Sequence, residues 1–141
     1  MKKTYLINTY IVTVNIEDLS EEEREEQGRL LLEKGENYYL GRGVTINNIQ
    51  ALRYFKEAIK YGNVNAQAYI GLFYERGIAV KRNYEMAAKW FHKAALGGSP
   101  FAQYSLAMCY MSGNGVLKDR NKSLFWFQKS AENEYSPAFY Q

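Results

Sequence analysis

The sequence predicts an all-α protein, a right-handed α-solenoid of about three helix–turn–helix repeats preceded by a short N-terminal arm. Three observations support this fold class. Residues of the same type recur every 36 positions, each 36-residue unit holds two stretches with apolar residues three and four apart, and glycines separate these stretches. A constant period between about 20 and 50 residues is typical of stacked structural repeats.

The 36-residue period involves small, aromatic and capping residues. Matching positions hold Tyr38, Tyr74 and Tyr110; Gly41, Gly77 and Gly113; Asn47, Asn83 and Asp119; Phe55, Phe91 and Phe127; Ala66, Ala102 and Ala138. We therefore place an arm at residues 1–19 and the solenoid at 20–141. Its copies lie at about 28–62, 63–98 and 99–134, with a truncated fourth copy at 135–141.

The first helix of the central copy is predicted from one apolar face. Its members are Ala66, Tyr69, Ile70, Phe73 and Tyr74, at helical spacing. Gly71 lies on this face, where glycine costs about 1 kcal/mol relative to alanine. We therefore expect a neighbouring helix to approach closely at Gly71. Gly77 is placed to end the helix, because glycine readily adopts a positive φ.

The second helix of the central copy is predicted to begin after Asn83, a residue suited to the N-cap. Trp90 and Phe91 lie within it, and we expect Trp90 to belong to the core. Ser99 and Pro100 then start the next unit, as a cap followed by proline at the first helical position. One such pair cannot bury both of its faces, so the units must stack.

These residues resemble the Sel-1-like repeat family, a relative of the tetratricopeptide repeats, over about residues 28–134. The third copy follows the family pattern with Ala102, Leu106-Ala107, Tyr110, Gly113, Gly115-Val116, Asp119, Lys122-Ser123, Trp126, Lys129 and Ala131. Three positions depart from it. Ala79 and Glu134 stand where glycine is usual in turns, and Ala107 stands where the first helix usually has glycine.

The arm has its own pattern. Tyr10, Val12, Val14 and Ile16 alternate with other residues, which predicts a strand with no evident partner in a helical solenoid. Three interpretations stay open: an extended arm on the solenoid surface, a strand that pairs with a second copy or another protein, and a signal peptide. Ser20 and Glu23 then form a capping box, which predicts a helix from near Glu21 to about Leu40.

Composition limits the function classes. The net charge of +3 combines −4 over residues 1–40 with +7 over residues 41–141, and the basic residues are spread out rather than clustered, so we expect no nucleic acid partner. The arm's apolar run is too short to span a bilayer. Cys109 is the only cysteine, which excludes an internal disulfide and favours a reducing, cytoplasmic location.

The sequence predicts no catalytic, cofactor or metal site, so we expect no enzyme. His92 is the only histidine and falls at an exposed repeat position, on a different helix from Cys109. Zinc sites need several such ligands. The pairs Gly41/Gly43 and Gly113/Gly115 are interpreted as turn glycines rather than phosphate-binding loops.

The resemblance implies that the first helix of each repeat lines the concave surface and binds a partner. The predicted partner-binding residues are Tyr39, Leu72, Glu75, Arg76, Phe101, Tyr104, Met108 and Met111. The last four form one stripe of aromatic and methionine side chains, which suits an adaptable interface. The second face of the same helix, with Leu106, is expected to supply the core without them.

We therefore expect a protein that binds another protein. By resemblance and by size, this favours a bacterial protein that neutralises a cognate toxin. The alternatives are a general adaptor, a secretion-assisting member of the family, and an RNA-binding helical repeat, which a pI of about 8.9 suggests. A homodimer formed through the N-terminal arm is also open.

Overall fold

The computed structural model describes residues 2–7 and 10–134. Within this part, successive helices pack against one another in chain order. The helices are α1 (Glu21–Leu40), α2 (Asn48–Lys60), α3 (Val64–Arg76), α4 (Tyr84–Leu96), α5 (Pro100–Ser112) and α6 (Arg120–Glu132). Consecutive helices pair into three helix–turn–helix repeats: α1 with α2, α3 with α4, and α5 with α6. This arrangement confirms the predicted helical repeat fold.

Capping side chains determine where the helices begin. Asn47, Asn83 and Asp119 each accept a hydrogen bond from a backbone N–H three residues later, at the start of the second helix of a repeat. Ser20 forms the predicted capping box with Glu23 at the start of α1. These contacts satisfy N–H groups that the first turn of a helix cannot pair internally.

Within a repeat, the two helices approach most closely where a phenylalanine meets a glycine. Phe55 lies against Gly35 and Phe91 lies against Gly71, and both rings are fully buried. The close approach predicted at Gly71 is therefore confirmed. In the third repeat alanine replaces the glycine, and Phe127 at the matching position is only half-buried.

The expectation that Trp90 is a core residue is wrong in part. Its ring is half-buried and packs at the edge of the apolar cluster that contains Phe55 and Phe73. The ammonium nitrogen of Lys93 lies 4.6 Å from the centroid of the Trp90 ring. Phe91, one residue later, points about 100° away around the helix and fills the core instead.

Two turns in every repeat require a left-handed backbone. Between the two helices of a repeat the values of φ are 75° at Gly43, 59° at Ala79 and 76° at Gly115. After the second helix, Glu134 has a φ of 63°, where the earlier repeats have glycine. Ala79 and Glu134, which replace turn glycines of the family pattern, thus keep the glycine conformation, although a side chain there costs about 1–2 kcal/mol.

The two ends of the stack differ. Leu124 on α6 is 54% exposed, whereas the matching Leu52 on α2 and Ala88 on α4 are buried in the apolar clusters. At the other end α1 presents the charged side chains of Glu33 and Lys34 to solvent. Such a polar outer face is typical of a terminal repeat. The truncated fourth copy, predicted at 135–141, lies outside the described residues.

The N-terminal arm begins with an antiparallel hairpin of β1 (Lys2–Ile7) and β2 (Tyr10–Asn15), in which Lys2 lies opposite Asn15 and Ile7 opposite Tyr10. The strand predicted from residue 10 is confirmed. The expectation that it has no evident partner is wrong, because Lys2–Ile7 form β1 and pair with it. A homodimer formed through the arm stays a prediction.

A short 3-10 turn, Ile16–Asp18, connects the hairpin to the first repeat. Ile16 and Leu19 are buried against Tyr61 at the end of α2. These three side chains form a small apolar cluster of their own. The end of the arm is therefore held on the outside of the first repeat.

Candidate functional site

The first helices of the three repeats, α1, α3 and α5, share one side of the molecule, called here the helix-A face. A pocket of about 370 Å³ opens on this face. Its lining residues come from all three helices and from the residue before α5: Glu36, Asn65, Ala68, Tyr69, Leu72, Ser99 and Phe101. The size lies within the range typical of small binding pockets.

Glu36 carries the only carboxylate among the residues that line the pocket. Its Oε2 accepts a 2.7 Å hydrogen bond from the hydroxyl of Tyr69. Its Oε1 forms a long ion pair with Arg42, whose Nη2 lies 3.9 Å away, beyond hydrogen-bond distance. Burial, followed by the hydrogen bond to Glu36, raises the pKa of Tyr69 well above its usual range, so the hydroxyl keeps its proton.

The ring of Tyr69 is held in place by other aromatic rings. It stacks on Phe55, with 4.3 Å between ring centroids and 4° between ring planes. Tyr39 meets it edge to face at 5.9 Å and also contacts Phe73 at 5.3 Å. Tyr39, a predicted partner-binding residue, is thus half-buried in an aromatic cluster beside the pocket.

The predicted stripe on α5 divides into two parts. Phe101 packs edge to face on Phe91 at 6.0 Å, and Tyr104 packs on Phe127 at 5.4 Å. The expectation that the core does not need these aromatic rings is therefore wrong. Met108 is 41% exposed and Met111 is 49% exposed, so the methionines form the accessible part of the stripe.

The predicted residues on α3 differ in their access to solvent. Leu72 is only 8% exposed, so the expectation that it is an exposed position is wrong, although its side chain lines the pocket. Arg76 is exposed at the end of α3. Glu75 is half-buried, and burial raises its pKa, an effect that nearby Arg76 only partly offsets.

Glu75 also acts on a residue of the next repeat. Cys109 on α5 is a buried free thiol. Burial and, second, the charge of Glu75 raise the pKa of Cys109 to about 11. A thiol with so high a pKa is a poor nucleophile at neutral pH.

Sequence reasoning did not select Glu36 and Tyr69 as a pair. The available signal was that Glu36 falls at the repeat position held by Leu72 and Met108, so one carboxylate stands in an otherwise apolar series. Tyr69 was predicted only as part of the buried face. Its hydroxyl bonds to Glu36, which lies 33 residues earlier in the sequence. A pattern confined to one helix does not predict a contact over that separation.

The part of the chain that the structure describes offers neither a metal site nor a membrane span. Among their side chains, no three His, Cys, Asp or Glu residues converge as metal ligands would. None of the described helices combines the length and the apolar character needed to cross a membrane. His92 is exposed, as predicted, with its ring 6.3 Å from that of Trp126.

Comparison with known proteins gave one family. The model of the Sel1 repeat matches residues 35–63, 64–99 and 100–135. The search of curated proteins found no match.

Solved structures of similar fold came from three bacteria. A protective antigen present in uropathogenic Escherichia coli strains, displaying an SLR fold, is 36% identical, with a TM-score of 0.74 over 86% of this chain and 26% of its own. A Sel1 repeat protein from Oxalobacter formigenes is 30% identical, with a TM-score of 0.75 over 79% of this chain and 46% of its own. This chain therefore spans less than half the length of either.

The third solved structure, Helicobacter pylori cysteine rich protein B, is 20% identical, with a TM-score of 0.66 over 86% of this chain and 96% of its own. At this identity the likeness concerns the fold alone.

Proposed function

Because this chain belongs to the Sel1 repeat family, we propose that it binds a partner protein along its helix-A face. Repeats of this family generally mediate contacts between proteins. The observation that carries the choice of face is the pocket formed by α1, α3 and α5. On α5, Met108 holds the repeat position of the pocket residues Glu36 and Leu72, and both Met108 and Met111 are exposed. Exposed apolar side chains mark interaction sites, and methionine adapts to varied partner surfaces.

The proposed action is binding without catalysis. The one histidine is exposed on α4, and the one cysteine is buried on α5 with its pKa raised to about 11. These two groups therefore do not form an activated nucleophile with its base. A buried free thiol also fits a reducing compartment, and we propose a cytoplasmic location on that basis.

The finer proposal is that the partner is a toxin, which the chain neutralises by covering its surface. Its support is by exclusion: the sequence contains no predicted catalytic group. An adaptor that joins two other proteins is the alternative. A partner that arrests growth when expressed alone, and no longer does so when this chain is expressed with it, would support neutralisation over an adaptor.

Two variants test the binding face. A captured partner is purified and titrated by calorimetry against the double variant Met108→Ala/Met111→Ala. If the methionines contact the partner, the loss should be about 2 kcal/mol, roughly 30-fold in affinity. Leu117→Ala is the matched control, because Leu117 is 90% exposed on the loop between α5 and α6.

Circular dichroism confirms that each variant is folded before titration. Equal affinities for wild type and the methionine double variant would exclude the α5 part of the helix-A face. A loss with Leu117→Ala alone would move the interface to the loops. Repeating the titration at higher salt separates a protein partner from RNA, whose binding weakens steeply with salt.

A further inference from the structure

The pocket on the helix-A face has an unusual balance of charge. The chain as a whole carries a net charge of +3. Among the seven residues that line the pocket, however, the one side chain charged at neutral pH is Glu36, and none is Lys or Arg. The pocket is therefore locally anionic in a basic protein, and its charge complements a cation.

The carboxylate of Glu36 is oriented before any ligand arrives. The Tyr69 hydroxyl holds Oε2 at 2.7 Å, and the Tyr69 ring is itself fixed by stacking on Phe55. Oε1 forms a long ion pair with Arg42, whose Nη2 lies 3.9 Å away, beyond hydrogen-bond distance. Arg42 is exposed and does not line the pocket. An exposed ion pair of this length stabilises little, so a cation inside the pocket can compete for Oε1, and the fixed carboxylate binds it at low entropic cost.

The walls of the pocket are suited to a long hydrocarbon stem. Ala68, Leu72 and Phe101 supply apolar surface, while Asn65 and Ser99 add an amide and a hydroxyl to the lining. Lysine and arginine combine an apolar stem with a charged head, so they gain from both parts of such a site. An acidic side chain would meet the Glu36 charge, which the exposed Arg42 guanidinium 3.9 Å away offsets only in part.

We propose that this pocket receives a lysine or arginine side chain of the partner protein, with the charged head on Glu36 and the stem on Leu72 and Phe101. The proposal rests on the proposed function of the helix-A face. Met108 occupies the position on α5 that Glu36 occupies on α1 and Leu72 on α3. The partner segment is therefore expected to place apolar residues next to its basic residue.

The test uses three blocked seven-residue peptides that differ only at the central residue, which is arginine, glutamine or glutamate between two leucines. Each peptide is titrated into the ¹⁵N-labelled full chain, and the backbone amide signals are followed by NMR. The arginine peptide should shift the amides of Leu72 and Phe101 and bind about 10-fold or more tightly than the glutamate peptide, a difference of about 1.4 kcal/mol.

Glu36→Gln is the test variant, because its amide oxygen still accepts the Tyr69 hydrogen bond while the charge is lost. Glu33→Gln is the matched control, since Glu33 is an exposed carboxylate one turn earlier on α1 and does not line the pocket. The preference for arginine should disappear in Glu36→Gln and persist in Glu33→Gln. A preference that survives Glu36→Gln, equal binding of all three peptides, or no binding of the arginine peptide at millimolar concentration would overturn the proposal.

The two proposals fail in different experiments. If the methionine double variant loses its partner but the peptides show no preference for arginine, the interaction face stands and the basic anchor is wrong. If the arginine peptide binds as expected but the methionine variant keeps full affinity for the captured partner, the anchor stands and the partner uses less of α5 than proposed.

Discussion

The ring of Phe91 fills the space beside Gly71, since a Cβ atom added to Gly71 would lie 2.6 Å from Cδ1 of that ring. Phe91 is fully buried, so its ring cannot move away from Gly71 towards solvent. The contact joins α3 to α4 and so sets the spacing of the two helices in the central repeat. Glycine at this position is explained by packing, despite its unfavourable helix propensity.

Gly71→Ala is expected to destabilise the protein. Alanine gains about 1 kcal/mol of helix propensity, but overpacking a filled core costs about 1–3 kcal/mol. We expect the overpacking to win by about 1 kcal/mol. Urea denaturation measures the change. In a Phe91→Leu background, Gly71→Ala should leave the free energy of unfolding unchanged or raise it. A rise in the wild-type background would contradict the packing explanation.

Phe91→Ala and Trp90→Ala should lower the free energy of unfolding by different amounts, although both remove an aromatic ring from α4. Phe91 is fully buried, so its loss should cost about 3–5 kcal/mol. Trp90 is half-buried, and part of its ring already lies in water beneath Lys93. Its truncation should cost about 2 kcal/mol, since less apolar surface is returned to water. Thermal unfolding followed by circular dichroism ranks the two; a larger loss for Trp90→Ala would reverse the assignment of the core residue.

Ala79→Gly is expected to stabilise the protein by about 0.5–1 kcal/mol. It relieves a left-handed backbone that costs alanine about 1–2 kcal/mol, and part of this gain is offset by the greater freedom of glycine in the unfolded chain. The φ of Ala79 is 59°. Gly43→Ala is the reverse substitution at the matching position of the first repeat and serves as the control. Gly43 has a φ of 75°, and nothing lies within 4 Å of an added Cβ, so only the backbone strain changes.

The control should lose about as much stability as Ala79→Gly gains, as measured by urea denaturation of both variants. If Ala79→Gly lowers the free energy of unfolding, the turn between α3 and α4 does not store the strain assigned to it.

Much of the fold could be predicted from the sequence because its determinants are local. The caps at Asn83 and Ser99 and the turn glycine Gly77 depend only on residues a few positions away, and the repeat shows each of them more than once. The strand β1 was missed because its residues, Lys2–Ile7, show no clean alternation, and only their pairing with β2 identifies them as a strand.

The candidate site was harder to predict because it depends on how the repeats stack. Leu72 has the spacing of an exposed helix position, but its side chain is only 8% exposed. Tyr104 likewise has the spacing of a surface stripe but packs on Phe127. The bond between Glu36 and Tyr69 joins two repeats and depends on the distance between α1 and α3. Helical periodicity within one repeat contains no information on these contacts.

Cys109 is expected to react slowly with alkylating reagents. Its thiol is buried, and its pKa is raised to about 11 by burial and then by the charge of Glu75. Because the thiolate is the reactive form, two units of pKa reduce its fraction at pH 8 by roughly 100-fold relative to an ordinary thiol. The measurement is the rate of iodoacetamide modification of the folded chain, compared with the same chain in denaturant.

The same pKa makes stability depend on pH. The folded state holds the Cys109 proton more tightly than the unfolded state, so its contribution is complete below about pH 9 and is lost as the pH rises towards 11. The midpoint of thermal unfolding should fall over this window more steeply in the wild type than in Cys109→Ala. Glu75→Gln should lower the Cys109 pKa and speed alkylation. Alkylation of the folded chain as fast as that of the denatured chain would show instead that the thiol is accessible on the helix-A face.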